Sequence, residues 1–179
     1  MKHTLFSLAL ALTVVLGFTS CEKVALGDSD QITTPADYVN PLVGTLSEFA
    51  LSTGNTYPAI ARPWGMNFWS PQTGKMGNGW MYVYTDHKIR GFKQTHQPSP
   101  WINDYGTFLM TPQNDVIAAE AGGAWGGWRQ KEAIMTPSYL KIRFLRSRCD
   151  FELTPTERGG AVRLHFDTDR RSCISFLPL

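Results

Sequence analysis

The sequence predicts a mainly β protein, an antiparallel β-sandwich, and three observations carry that prediction. Residues Tyr139–Leu145 alternate, with Leu140, Ile142 and Phe144 apolar and Lys141 and Arg143 charged, the period of a half-buried strand. Ala161–Phe166 repeats the pattern, Val162, Leu164 and Phe166 alternating with Arg163 and His165. Beyond Pro35 the chain breaks into short segments at Gly, Pro and Asn, and no helix longer than two turns is credible after the N-terminal stretch.

Taken in order, the elements begin with an export signal. Met1 and Lys2 precede an apolar run from Leu5 to Phe18, then Thr19, Ser20 and Cys21. A charged start, a short apolar run and small residues before a cysteine make residues 1–20 a signal peptide. The run is shorter than the roughly 20 residues of a membrane span. Cys21 resembles the lipidated first residue of a bacterial lipoprotein, which implies a membrane-anchored protein in the periplasm or on the cell surface. Residues 21–36 read as a polar tether. Tyr38–Val43 fits a short strand or a turn. Gly79–Thr85 (GWMYVYT) is rich in β-formers, Thr107–Met110 is a short apolar run stopped by Pro112, and Asp115–Ala119 is a brief candidate. Gly122–Gly127 (GGAWGG) lacks the context of a phosphate loop and reads as a tightly turned or mobile connection. Phe151–Leu153 is expected to pair with Ala161–Phe166 through a turn near Arg158-Gly159-Gly160.

Composition narrows the function classes. The net charge is +2 and the basic residues are scattered, so nucleic acid is not an expected partner. Charged residues make up 18%, below the roughly 25% of an average soluble chain, which shifts the balance toward aromatics at 12%. All six tryptophans fall between Trp64 and Trp128, a clustering that serves a sugar-facing surface or a sandwich core. After Cys21 only Cys149 and Cys173 remain, and their spacing neither demands nor forbids a disulfide. No zinc-type spacing and no calcium loop is present.

The segment Gly91–Gly106 (GFKQTHQPSPWINDYG) carries the most chemistry. Pro98 and Pro100 fix φ and remove two donors, so Gln97–Trp101 is neither helix nor central strand. A stiff loop with an imidazole, an amide, a carboxylate and an indole suits a polyhydroxylated ligand. The alternative is a surface turn whose Trp101 packs down on the core. Glycoside hydrolysis needs two carboxyl groups, held roughly 6.5–9.5 Å apart in an inverting enzyme. Only Asp104 sits in surroundings that would tune it, and one carboxylate is not a pair. A triad from Ser99, His96 and Asp104 has no supporting elbow motif, and side chains so close in sequence rarely adopt that geometry.

Asp37–Thr45 (DYVNPLVGT), Thr53–Pro58 (TGNTYP), Arg62–Met66 (RPWGM), Ser70–Pro71, the Gly91–Gly106 loop and Glu152–Arg158 (ELTPTER) together resemble the N-terminal β-sandwich domain of glycoside hydrolase family 92. The resemblance spans about residues 37–166. It implies a galactose-mutarotase-like sandwich that packs on a following (α/α)6 barrel, and an exo-acting, calcium-dependent, inverting α-mannosidase acting on mannose-containing glycans. It implies further that the catalytic acid, the base and the calcium ligands belong to the barrel, so this chain is expected to hold no catalytic residue and no metal. The sandwich would lend the loop His96–Tyr105 to the mannose pocket, with Trp101 facing the sugar, Asp104 as a polar contact, and His96, Gln97 and Asn103 as further contacts. The chain ends at Leu179, where the resemblance implies several hundred more residues, and 167–179 is expected to be a divergent tail from truncation or a shifted reading frame. Alone, such a domain would be inactive. The alternatives are a stand-alone carbohydrate-binding module or a non-functional remnant.

Overall fold

The computed structural model describes residues 34–46, 56–62, 64–73, 82–95, 108–120 and 122–178. Their elements are a 3-10 helix at Pro35–Tyr38, strands β1 (Phe68–Gln72), β2 (Lys88–Ile89), β3 (Gly91–Thr95), β4 (Phe108–Asn114) and β5 (Gly126–Gly127), a 3-10 turn at Gln130–Glu132, then β6 (Ile134–Thr136), β7 (Tyr139–Phe144), β8 (Cys149–Pro155), β9 (Gly160–Phe166) and β10 (Ser172–Pro178). Among the described residues, two four-stranded antiparallel sheets, ordered β1-β3-β4-β10 and β6-β7-β8-β9, and the small ribbon β2-β5 carry the β-strands.

The alternation in β7 explains why the sheets face each other. Leu140, Ile142 and Phe144 are buried on one face, and Cys149, Phe151 and Leu153 of β8 join them. From the first sheet come Trp69, Phe92 and Met110, all in the same apolar cluster. Phe92 stacks on Phe151 with ring centroids 3.7 Å apart, and meets Phe144 edge-on at 5.7 Å. The first sheet buries its other face too: Leu109 and Leu177 form a second cluster with Ala124 and Ala118. One backbone contact decides a residue. Gly91 has φ 150°, and a Cβ there would lie 2.3 Å from the Met110 carbonyl oxygen, so only glycine lets β3 approach β4.

Most of the expected strands are present, with instructive differences. Phe151–Leu153 and Ala161–Phe166 lie in the antiparallel pair β8–β9, closed by a turn in which Thr156 N–H donates to the Gly159 carbonyl. As the outer strand of its sheet, β9 keeps Val162 exposed and only half-buries Leu164 and Phe166. Tyr38–Val43 is the end of the 3-10 helix and a turn. Pro112 does not stop β4, which runs to Asn114. The β3–β4 register ends at Met110, so beyond it one flank of β4 has no ladder on that side for a proline to break. Asp115–Ala119 is a bend, not a strand: Asp115 turns the chain with φ 55°, and the Ala118 N–H donates to Gln113 Oε1. Residues 82–85 of the expected strand Gly79–Thr85 are likewise irregular, and 79–81 lie outside the described residues. The segment read as a divergent tail contains β10, paired with the whole of β4. Cys149 and Cys173 are free thiols, one in each large sheet.

Candidate functional site

His96, Gln97, Trp101, Asn103 and Asp104 all lie outside the described residues, as does Cys21. The strands that carry the loop are described. Thr95 ends β3 and Phe108 begins β4, neighbours in one antiparallel sheet with Phe92 opposite Met110 and Lys93 opposite Leu109. The two strands that flank residues 96–107 therefore stop and start at the same end of one packed sheet, a rigid base for a recognition loop. Sheet residues next to this base are polar and buried: Ser70, Lys93 and Thr95. Lys93 lies opposite Ser70 and is only 5% exposed, and burial pulls its amine below the ordinary lysine range. Sequence reasoning passed over Lys93. Its one signal was the strict alternation with the inward-facing Phe92.

The other motif residues meet in space. Met66 N–H donates to the Glu157 carbonyl, and the Asn67 amide and the Trp69 indole N–H both reach the Gly159 carbonyl at 3.3 Å. Ala61 and Arg62 N–H groups both donate to the Pro137 carbonyl. Gly65 is required at this crossing, since a Cβ would come within 2.7 Å of the Ala61 carbonyl oxygen. Thus RPWGM is bound to the turn that follows ELTP. In DYVNPLVGT, Asn40 Oδ1 accepts from Leu42 N–H, and Thr45 Oγ1 donates to the Leu42 carbonyl, which fixes a turn ending at Gly44 with φ 82°.

The outer face of the second large sheet carries charge in rows. Glu152 accepts from Arg163 through Nε at 2.7 Å and lies 3.7 Å from Lys141 Nζ. Arg143 pairs with Asp150 and with Asp167, both at 3.2 Å, and Arg148 also reaches Asp167 at 3.2 Å. The two arginines hold the exposed Asp167 carboxyl below the usual carboxylate range. A shallow hollow of about 310 Å³ lies over Tyr139, Glu152, Thr154, Val162 and Arg163. Asp150 and Glu152 share this face, two residues apart on one strand. Each is bound to cations across the sheet, so they form an ion network and do not flank a substrate bond.

The model of the glycosyl hydrolase family 92 N-terminal domain matches residues 38–177. The chain belongs to glycosyl hydrolase family 92. Among solved structures it is similar to a family GH92 inverting mannosidase from Bacteroides thetaiotaomicron VPI-5482, with 47% identity and a TM-score of 0.72 over 79% of this chain and 19% of that one. It is also similar to a family GH92 alpha-mannosidase from Bacteroides thetaiotaomicron in complex with mannoimidazole, with 27% identity and a TM-score of 0.63 over 73% of this chain and 18% of that one. The chain thus spans about a fifth of the length of these mannosidases. No curated protein matches it.

The family 92 match runs past residue 166, the expected end of the domain, and takes in nearly all of β10. Among the described residues, several large exposed apolar side chains sit on the family 92 motifs or beside them: Tyr38, Val39, Val43, Leu46, Trp64 and Met66. Trp64 is 88% exposed. Among the described residues, no group of three or more His, Cys, Asp or Glu is placed to hold a metal.

Proposed function

We propose that this chain is the carbohydrate-contacting N-terminal domain of an exo-acting, calcium-dependent, inverting α-mannosidase of family 92, and that it is inactive alone. The observation that carries the reading is the apolar set Tyr38, Val39, Val43, Leu46, Trp64 and Met66, left in solvent on the family motifs. Exposed large apolar residues in such number call for a covering surface, and a barrel domain bearing the acid, the base and the calcium ligands supplies it. In this reading the loop His96–Tyr105 forms one wall of the mannose pocket, with Trp101 stacked on the sugar and Asp104, His96, Gln97 and Asn103 available to its hydroxyls. The substrates are mannose-bearing glycans, N-glycans among them. A lipid on Cys21 holds the protein to a membrane, at the periplasmic or the outer face.

The test is mannose release from an aryl α-mannoside. The 179-residue chain alone gives no turnover with or without calcium. Joined to the region that follows this domain in the mannosidase 47% identical to it, the same chain gains calcium-dependent release. Trp101→Ala then lowers that activity about tenfold, the loss of roughly 1.4 kcal/mol of stacking. Turnover by the chain alone, or a hybrid indifferent to Trp101, overturns the reading.

A further inference from the structure

At the end of the sandwich where β7 turns into β8, two cations converge on one indole. The ribbon β2–β5 sets Lys88 opposite Gly127, two residues after Trp125. The ribbon is held against the turn by Leu145 N–H donating to the Gly127 carbonyl, and by Gly126, where a Cβ would lie 3.0 Å from Phe144 Cδ1. Lys88 Nζ lies 4.5 Å from the Trp125 ring centroid and Arg146 Cζ lies 4.9 Å from it. Arg146 Nη1 also donates to the Trp125 carbonyl at 3.4 Å. Neither cation has a carboxylate partner among the described residues. Two like charges within about a Debye length, on the order of 8–10 Å, repel one another, and an anion between them relieves that cost.

Beside the indole is a hollow of about 20 Å³ lined by Asn114, Val116, Trp125, Arg146 and Ser147. Ser147 is only 4% exposed and its Oγ has no hydrogen-bond partner. A hollow of that size admits one hydroxyl-sized group, since roughly 10–15 Å³ suffices for a water. Val116 and Trp125 are exposed at its mouth. The arrangement joins a partly exposed indole, two cations without a carboxylate and one buried hydroxyl without a partner. A peptide carboxylate would answer only the cations. A sugar ring that bears an acidic group answers all three, offering a C–H face, a hydroxyl and a negative charge on one rigid unit.

We propose that Trp125, Lys88, Arg146 and Ser147 form a surface site for an anionic sugar residue, a uronate or a sulfated hexose of a polysaccharide, separate from the mannose pocket proposed above. The test is native affinity electrophoresis of the full chain in gels containing polygalacturonate, dextran sulfate or neutral mannan, with polyglutamate and phosphatidylglycerol vesicles as comparators. The expected result is retardation by polygalacturonate, by dextran sulfate or by both, and none by mannan. Retardation by one alone identifies the carboxylate or the sulfate as the group bound. Lys88→Gln and Arg146→Gln, both at exposed positions, each weaken binding about tenfold and each lower the log–log salt slope by about 1. Arg158→Gln, at the far end of β8, is the charge-matched control and changes neither. No retardation, equal weakening in Arg158→Gln, or binding to polyglutamate or vesicles as tight as to the acidic glycans overturns the site.

Discussion

Cys149 begins β8 with no solvent exposure, its thiol 3.6 Å from the Asp150 carbonyl oxygen. Burial, with the Asp150 charge adding to it, pushes the thiol up to about 12 from its ordinary 9.0. A group whose folded pKa is raised keeps its proton in the native state after the unfolded chain has lost it. Its stabilising effect is therefore complete below pH 9 and is lost as the pH climbs toward 12. Buried Tyr57 and Tyr82 are raised as well and act in the same sense at higher pH. The urea midpoint should fall steadily above pH 9, and Cys149→Ala should flatten the first part of that fall. A midpoint that is constant from pH 8 to 11 refutes this. With a thiol reagent at pH 8, the half-buried Cys173 should react before Cys149, which reacts only as the protein unfolds.

At the scale of the elements, the join between the two large sheets rests on Phe92, Phe144 and Phe151. Phe151→Ala should cost about 3–5 kcal/mol, read as a lower denaturant midpoint at unchanged slope, because the site is closed on both sides and collapses poorly. A loss below about 1 kcal/mol would mean the rings repack. Strands β7 and β8 were legible in the sequence because one face of each is buried and the other wet, and β9 carries the same alternation although its apolar face is at most half-buried. The ends of the first sheet were harder. In β10, Ile174 and Phe176 alternate with Ser175 and Leu177, so neither face reads as the buried one. β4 passes through a proline at a point where its ladder with β3 has already ended. The Gly122–Gly127 segment read as a turn, and it is one at Gly122–Gly123, yet its Trp125 gains chemistry only from Lys88 and Arg146. Those contacts come from the tertiary fold, and no local pattern announces them.

For the whole molecule, the exposed apolar residues on the N-terminal motifs govern behaviour in solution. The 179-residue chain should bind a hydrophobic dye and self-associate as its concentration rises, and Trp64→Lys combined with Val43→Lys should reduce both. Light scattering that shows a monomer at every concentration, with no dye binding, would refute this. The same motifs bear on how the domain is made. Asn67 and Trp69 reach a carbonyl 92 and 90 residues further along the chain, so that clasp cannot close until the β8–β9 turn has left the ribosome. At roughly 5–20 residues per second, the early segment waits several seconds as an open, sticky thread. In a chain exported as proposed above, the same wait recurs at the membrane, where residues 67–69 emerge well before the turn at Gly159 that closes over them.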